Sequence, residues 1–249
     1  MKDDLTYTRL IDMKMPSMAN ELLHQLSEPA MEELSFEQRV GMMVDAEWLQ
    51  KQLNRSKRLL RLAHLPQENA TIEGIEYISG RDLDRKLITR LSECEYIDAH
   101  HNVVILGATG SGKTYVACAL GKAAIQKSYP VKYVRLPELL TDLSIARGDG
   151  SIRKALDQYK KPSLLIIDDW LLFQPTDLQA MDLLEITEAR CGRASTIYCS
   201  QFDTLGWIDR IGGSIQAESV CDRIVHDAYY IRIDSKESMR KYLSMKQGE

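Results

Sequence analysis

The residues with the clearest chemical potential form the stretch Gly107-Ala-Thr-Gly-Ser-Gly-Lys-Thr114, which directly follows an apolar run at 103–106. This stretch matches the phosphate-binding loop pattern G-x-x-x-x-G-K-[ST]. Its glycines let consecutive backbone N–H groups turn toward an anion, and the helix that begins behind them adds a partial positive charge. Lys113 can then reach the β- and γ-phosphates of a nucleoside triphosphate, while the Thr114 hydroxyl can ligate Mg²⁺. The predicted phosphate-binding residues are Gly107, Ala108, Thr109, Gly110, Ser111, Gly112, Lys113 and Thr114.

A second apolar run, at 164–167, ends in Asp168 and Asp169. Pro162 precedes it, and the pattern is typical of a buried parallel strand that carries acids at its carboxyl end. In P-loop proteins a metal-associated carboxylate lies at that position. We expect Asp168 to bind the metal and Asp169 to polarise the attacking water. Because adjacent strand residues point to opposite sides, we expect the two side chains to face different ways.

Further polar and cationic candidates come from the last third of the chain. The predicted strand at 195–201 ends in Ser200 and Gln201, either of which could contact the γ-phosphate or the lytic water. An ordinary polar strand end is the alternative. Arg223 and Arg240 are candidates to neutralise the charge that develops on the γ-phosphate. Sequence position alone does not distinguish them from arginines in surface salt bridges.

The elements that must position these residues alternate between strands and helices. A short helix is predicted at 84–93, after an extended linker at 71–80. Further strands are predicted at 131–134 and 229–233, and helices at 113–127, 137–145, 152–159, 176–190 and 215–225. Strands that alternate with helices predict an α/β fold with a parallel sheet.

The first 70 residues are predicted to be all-helical. Apolar residues recur at helical spacing over residues 8–26, with a break at Pro16 after which Ser17 could cap the second piece. They recur again over residues 35–64, where Ser35 and Gln38 have the spacing of a capping box. We therefore predict a helical N-terminal domain at residues 1–70 and a nucleotide-binding domain at residues 71–249.

The second half of the long predicted helix carries only basic charges, with no acid between Glu47 and Glu68. One interpretation is a stripe that contacts the phosphate backbone of DNA, and the other is an ordinary solvated face. No recognition-helix or zinc-finger pattern accompanies the stripe, so any contact is expected to be non-specific. The candidate DNA-binding residues are Lys51, Arg55, Lys57, Arg58 and Arg61.

Composition restricts the class of protein. The five cysteines are an odd number at wide spacing without a C-x-x-C pair, which favours a reduced intracellular compartment. The N-terminus has no apolar signal core, and no apolar run approaches the ~20 residues that span a bilayer. We expect a cytoplasmic protein without membrane association.

Several stretches together resemble the IstB-like transposition helper ATPases, relatives of the DnaC and DnaA replication ATPases in the AAA+ class. The resemblance covers nearly the whole chain and does not rest on the phosphate-binding loop alone. It also rests on Leu34-Ser-Phe-Glu-Gln-Arg39, Asp45-Ala-Glu47, Asp98-Ala-His-His-Asn102, Leu165-Ile-Ile-Asp-Asp169, Ser200-Gln-Phe202, Asp222-Arg-Ile-Val-His-Asp-Ala228 and Glu237-Ser-Met-Arg-Lys241.

The resemblance implies an AAA+ module with a five-stranded parallel sheet flanked by helices, preceded by an all-helical N-terminal domain for DNA binding or oligomerisation. It implies an ATPase that forms a homo-oligomer with ATP at the subunit interfaces. Arg223 would be the arginine finger, provided in trans, Arg240 the second sensor, and Ser200 or Gln201 the first sensor. Many relatives have glutamate where this chain has Asp169, and the shorter carboxylate has less reach toward a water molecule.

The resemblance also implies partners and a place of action. A bacterial protein of this kind binds double-stranded DNA with little sequence preference and helps a partner transposase to mark the insertion target. A DnaC-like helicase loader is the first alternative, and it would grip a helicase and single-stranded DNA. A small-molecule kinase is the second, and it would need an acceptor pocket and a lid.

Overall fold

Three α-helices make up the beginning of the chain in the computed structural model, which describes residues 2–78, 80–213, 215–235 and 239. They are α1 (Lys2–Asp12), α2 (Pro16–Ser27) and α3 (Phe36–Ala63), with a short 3-10 helix (Pro29–Glu33) before α3. The predicted helical N-terminal region is therefore confirmed. By compactness the chain divides into a first unit, Met1–Arg58, and a second unit, Leu59–Glu249. The domain boundary at residue 70 stays a prediction.

The first turns of α2 and α3 are stabilised in different ways. At α3 the predicted capping box is present, since Ser35 N donates to Gln38 Oε1 (2.9 Å) and Gln38 N to Ser35 Oγ (3.2 Å). At α2 the predicted Ser17 cap is wrong. The Glu47 carboxylate of α3 accepts from the N–H groups of Ser17 and Met18 at 2.9 and 3.2 Å instead. A carboxylate there satisfies the free N–H groups and complements the helix dipole.

The second unit alternates strands and helices. In chain order it contains β1 (Arg81–Asp82), α4 (Arg85–Ser92), α5 (Glu95–Asp98), β2 (Asn102–Gly107), α6 (Lys113–Gln126), β3 (Val131–Arg135), α7 (Leu136–Gly148), α8 (Ile152–Lys160), β4 (Leu164–Trp170), α9 (Asp177–Arg190), β5 (Ser195–Ser200), a 3-10 turn (Thr204–Gly206), α10 (Trp207–Ile211), α11 (Ile215–Val225) and β6 (Ala228–Ser235).

The strands form one sheet in the order β1-β6-β2-β5-β4-β3. Strands β2 to β6 pair in parallel, which confirms the predicted α/β fold, and β1 adds a sixth strand antiparallel to β6. The sheet is therefore mixed. The two residues of β1, Arg81 and Asp82, are charged and too few to show a strand periodicity, so the sequence analysis did not find this strand.

Helices cover both faces of the sheet. Along β2, Val103 and Ile105 belong to one apolar core, while Val104 and Leu106 belong to the other. The first core is closed chiefly by α4 and α6, and the second by α7 to α11. Burial on both faces explains why these strands are continuous apolar runs rather than alternating ones.

Residues 71–80 do not form an extended linker. They include a turn, and the neighbouring Ala70 as well as Ile75 are buried in the core that α6 helps to close. This segment therefore packs within the second unit. Within the described part of the chain, no helix has the length and apolar character needed to cross a membrane.

Candidate active site

The phosphate-binding loop connects the end of β2 to the beginning of α6, as predicted. Gly110 and Gly112 have φ angles of +79° and +95°, a region that L side chains rarely adopt. Space is limiting as well, because a Cβ on Gly112 would lie 2.7 Å from Arg81 Nη2. A Cβ on Gly107 would lie 2.7 Å from the carbonyl oxygen of Ile233. Backbone conformation thus favours glycine at 110 and 112, and close packing favours it at 107 and 112.

Lys113, the first residue of α6, keeps its ammonium group within the loop. Its Nζ donates to the carbonyl oxygens of Gly107 (2.8 Å) and Ala108 (2.9 Å). Burial lowers the pKa of Lys113 from its ordinary value, and the carboxylates of Asp168 and Asp169 partly oppose that effect. The cation is therefore already positioned over the turn that would hold the phosphates.

Asp168, at the carboxyl end of β4, is held by three donors. Its Oδ2 accepts from Thr114 Oγ1 (2.6 Å) and from Tyr133 Oη (2.9 Å), and its Oδ1 accepts from the N–H of Asp169 (2.8 Å). Burial raises the pKa of Tyr133, and the neighbouring Asp168 raises it further, so the phenol remains a donor. Tyr133 was not predicted from the sequence, because its position in β3 gives no sign of which strand lies beside it.

The pair formed by Thr114 and Asp168 suits Mg²⁺. Hydroxyl and carboxylate oxygens are the ligands that this ion prefers, and it usually takes only one or two carboxylates together with substrate phosphates. A hydroxyl and a single carboxylate therefore fit a metal that arrives with a nucleotide. Among the described residues, no group of three or more His, Cys, Asp or Glu side chains that could hold a metal occurs.

Asp169 departs from the alternation that we predicted for a regular strand. In the pairing of β4 with β5, Ile167 lies opposite Tyr198, but Trp170 lies opposite Ser200, so β4 contains one extra residue. Asp169 has a φ of +53°, and this bulge turns its side chain so that both aspartates line one cavity. The expectation that they face different ways is wrong. Bulges of this kind often re-aim a side chain beside an active site.

Arg135 holds the Asp169 carboxylate in place. The Nε and Nη2 atoms of Arg135 lie 2.8 and 2.7 Å from Asp169 Oδ2. The hydrogen bond to Asp169 is the main reason why the pKa of Arg135 is raised. Arg135 is the last residue of β3, and the sequence analysis missed it because the partner lies 34 residues away.

Of the two candidates at the end of β5, only Gln201 faces the phosphate-binding loop. Its Oε1 accepts from Thr109 Oγ1 at 2.8 Å. Ser200 is fully buried, donates to the carbonyl oxygen of Trp170 (3.0 Å) and accepts from the N–H of Phe202 (3.1 Å). Its hydroxyl therefore stabilises the strand end, and Gln201 is the candidate that the structure brings to the site.

The phosphate-binding loop, the two aspartates and Gln201 line a cavity of about 330 Å³, within the usual range for small-molecule sites. Besides Gly110 and Gly112, the lining comprises two groups of residues. Thr109, Lys113, Thr114, Asp168, Asp169 and Gln201 form the acidic and phosphate-facing group. Gln67, Gly74, Glu76, Arg81, Tyr115 and Met239 form the second group. No member of the second group was predicted from the sequence as a site residue.

Arg223 lies apart from this cavity. It is on α11, where it donates to the carbonyl oxygen of Ser219 (3.0 Å) and to the Ser219 hydroxyl. Its Nη2 forms an ion pair with Glu188 of α9 at 3.1 Å. Among the described residues that line the cavity, none belongs to α11. Arg240 lies outside the described residues.

The five basic residues of α3, Lys51, Arg55, Lys57, Arg58 and Arg61, are all exposed. Lys51, Arg55 and Arg58 follow each other at spacings of four and three, so they lie along one side of the helix. Lys51 is 3.5 Å from Glu47, the residue that caps α2. The exposure leaves this stripe accessible to a phosphate backbone.

Comparisons with known proteins agree with this site. A family model described as "IstB-like ATP binding protein" matches residues 8–247. An insertion sequence ATP-binding protein of Sinorhizobium fredii is 38% identical over 237 residues, which are 95% of this chain and 96% of the relative.

Two solved structures share the fold at lower identity. AMPPCP-bound DnaA from Aquifex aeolicus superposes with a TM-score of 0.57 and 19% identity, over 74% of this chain and 56% of that one. The chain thus spans little more than half the length of that DnaA. The DnaC helicase loader superposes with a TM-score of 0.57 and 20% identity, over 66% of this chain and 97% of that one. The fold is therefore that of the AAA+ domains of DnaA and DnaC.

Proposed function

The chain belongs to the family of IstB-like ATP binding proteins, and from that premise we propose that it is an ATP-hydrolysing AAA+ protein that helps a transposase. It assembles on double-stranded DNA with little sequence preference and marks the target for the partner transposase in the bacterial cytoplasm. One observation carries the proposal: Lys113, the Thr114–Asp168 pair and Asp169 line a single cavity. Its relatives are named for insertion sequences, which supports a transposase as the partner.

Each site residue has a separate role in the hydrolysis of ATP. Lys113 neutralises the β- and γ-phosphates, and Thr114 with Asp168 would hold Mg²⁺, which neutralises charge on the same phosphates. Asp169 orients the attacking water. Because Arg135 occupies its Oδ2, the other carboxylate oxygen is the one that points the water at the γ-phosphate. Gln201, which directly follows β5, contacts the γ-phosphate as the first sensor.

A complete site is proposed to require a second copy of the chain. No arginine of α11 lines the cavity within the described residues, and Arg223 lies on the surface beside Glu188. We assign Arg223 to the γ-phosphate of the neighbouring subunit, and Arg240 to the second sensor. ATP bound at such an interface stabilises assembly by mass action, and assembly presents many basic stripes to one DNA duplex.

The mass of the particle in solution tests this proposal. With duplex DNA and ATP, light scattering is expected to show a large assembly, which is absent with ADP or without nucleotide. ATP and duplex are also expected to raise each other's affinity, because linkage is reciprocal. A monomer under every condition, with turnover that a metabolite stimulates, would instead indicate a small-molecule kinase. Assembly only on single-stranded DNA would indicate a helicase loader.

The DNA contact of α3 is tested by reversing three charges of the stripe. The triple variant Arg55→Glu, Lys57→Glu, Arg58→Glu is expected to bind every duplex more weakly, whatever its sequence. Each phosphate contact contributes about 0.9 to the slope of log affinity against log salt, so that slope is expected to become about 3 units less steep.

A matched control carries the same charge change on the second unit, outside α3. Lys86→Glu, Lys161→Glu and Arg193→Glu together alter three exposed basic residues away from α3. This control is expected to leave the salt slope nearly unchanged. An unchanged slope in the α3 variant, or an equal decrease in both variants, would remove α3 from the DNA interface.

A further inference from the structure

Arg81 is a buried cation in the nucleotide cavity to which the proposed chemistry assigns no role. It is the first residue of β1, and its pairing with Ser235 of β6 places its side chain beside the phosphate-binding loop. Only 8% of the residue is exposed. Burial of a guanidinium group is costly unless the charge is compensated. This burial lowers the pKa of Arg81 from its ordinary value, and the neighbouring Tyr77 and Glu76 side chains partly oppose the shift.

The hydrogen bonds of Arg81 leave part of the guanidinium group unused. Nη1 donates to the carbonyl oxygen of Glu76, and Nη2 donates to the carbonyl oxygen of Ser111 at 3.1 Å. Both acceptors are neutral. The Nε atom is buried and has no hydrogen-bond partner among the described residues. Since Arg81 lines the cavity and its guanidinium group keeps unused N–H groups, it is a suitable donor to a bound anion.

The contacts also indicate which part of a nucleotide lies nearest to Arg81. Lys113 and the Thr114–Asp168 pair mark the region of the β- and γ-phosphates. Arg81 instead contacts Ser111, and its Nη2 would be 2.7 Å from a Cβ on Gly112. It shares the second group of lining residues with Tyr115 and Gly74. Because the β- and γ-phosphates are assigned to Lys113 and the Thr114–Asp168 pair, the phosphate left for a cation on the other side of the loop is the α-phosphate.

We propose that Arg81 binds the α-phosphate of ATP through the guanidinium N–H groups that the carbonyl oxygens of Glu76 and Ser111 leave unused, while its Nη2 also holds the phosphate-binding loop through Ser111. The inference rests on the proposed ATP binding at this cavity. Since the α-phosphate is common to ATP, ADP and AMP, Arg81 would contribute to the affinity for all three. It would not distinguish the triphosphate from its product.

The experiment measures dissociation constants by calorimetry for ATP, ADP and the two diastereomers of ATP that carry sulfur on the α-phosphate. For Arg81→Gln we expect about tenfold or greater loss of affinity for both ATP and ADP, because hydrogen bonds to charged groups are worth about 1.5–3 kcal/mol. In the unmodified protein one sulfur diastereomer is expected to bind more weakly than ATP. In Arg81→Gln this difference is expected to disappear.

The sulfur comparison separates contact with the phosphate from mere support of the loop. If Arg81 only supports the loop, Arg81→Gln weakens ATP and both diastereomers by one common factor and keeps the preference between them. That result would overturn the inference, as would equal affinity of the unmodified protein for ATP and both diastereomers. Arg85→Gln is the matched control, because Arg85 is exposed and stacks on Tyr77 at 4.4 Å.

Two further measurements keep the test decisive. If Arg81→Gln does not fold, Arg81→Lys retains the charge and is expected to lose the same sulfur discrimination. If the unmodified protein does not bind ATP, or if Lys113→Ala binds it equally well, the proposed ATP site is wrong. Those two results concern Lys113 and the whole cavity, so they are distinguishable from a failure confined to Arg81.

Discussion

Lys113→Ala is expected to reduce ATP affinity by roughly 10²–10⁴-fold, since two hydrogen bonds from a charged donor are worth about 1.5–3 kcal/mol each. In the structure the ammonium group donates to two loop carbonyl oxygens, at 2.8 and 2.9 Å. It is therefore held where the phosphates of a bound ATP can accept hydrogen bonds from it. Its removal takes away the cation while the acidic pair Asp168 and Asp169 remains. The remaining negative charge then repels the nucleotide.

Calorimetry with ATP and light scattering with ATP and duplex DNA measure this effect. Loss of ATP binding is expected to abolish the large assembly as well, because ATP at the interface stabilises it. Lys127→Ala is the control, since Lys127 lies beyond the other end of α6 and pairs with Glu93 at 2.8 Å on the surface. Undiminished ATP affinity in Lys113→Ala would show that the phosphates bind elsewhere.

Arg223→Ala is expected to leave ATP affinity of the single subunit nearly intact and to reduce ATP hydrolysis in the assembly by about 10³-fold or more. An arginine finger is worth about 10³–10⁵ in turnover, because it stabilises charge that develops only in the transition state. In the structure this side chain forms a surface ion pair with Glu188 and does not line its own cavity within the described residues. The prediction therefore depends on its delivery to a neighbouring subunit.

Mixing two inactive variants tests that delivery. Arg223→Ala keeps Asp169, and Asp169→Asn keeps Arg223, so a mixed interface can contain one intact copy of each. Equal mixing is expected to restore about a quarter of the activity, since a head-to-tail interface takes one side from each subunit. No restoration would mean that Arg223 does not act in trans.

Glu188→Gln distinguishes two roles of Arg223, as an arginine finger or as a partner in a structural ion pair. This change removes the partner of Arg223 but leaves the guanidinium group, so hydrolysis in the assembly is expected to be retained. If Glu188→Gln loses as much activity as Arg223→Ala, the ion pair between α9 and α11 is what matters. ATP turnover at saturating duplex DNA is the measurement in every case.

The features of this protein that depend on neighbouring residues could be predicted from the amino-acid sequence. The phosphate-binding loop was identifiable because its glycines must adopt positive φ angles and its lysine and threonine must follow at fixed spacing. The central strands were identifiable because a strand buried on both faces is a continuous apolar run. The capping box of Ser35 and Gln38 is likewise a contact over three residues.

The side chains that meet at the site from distant parts of the chain could be identified only from the three-dimensional fold. Tyr133 and Arg135 reach the two aspartates from β3, across 35 and 34 residues of sequence. The choice of Gln201 over Ser200 depends on which side chain faces Thr109 and which is buried under Trp170.

The extra residue in β4 and the position of Arg81 both depend on how strands pair with each other. The bulge at Asp169 is visible only in the register of β4 against β5, and strand alternation predicted the opposite. Arg81 reaches the cavity because β1 pairs with β6. A strand of two residues shows no periodicity in the sequence, so this pairing could not be predicted. In each case the energy comes from hydrogen bonds and burial between segments far apart in the chain, and the types of adjacent residues do not specify such pairings.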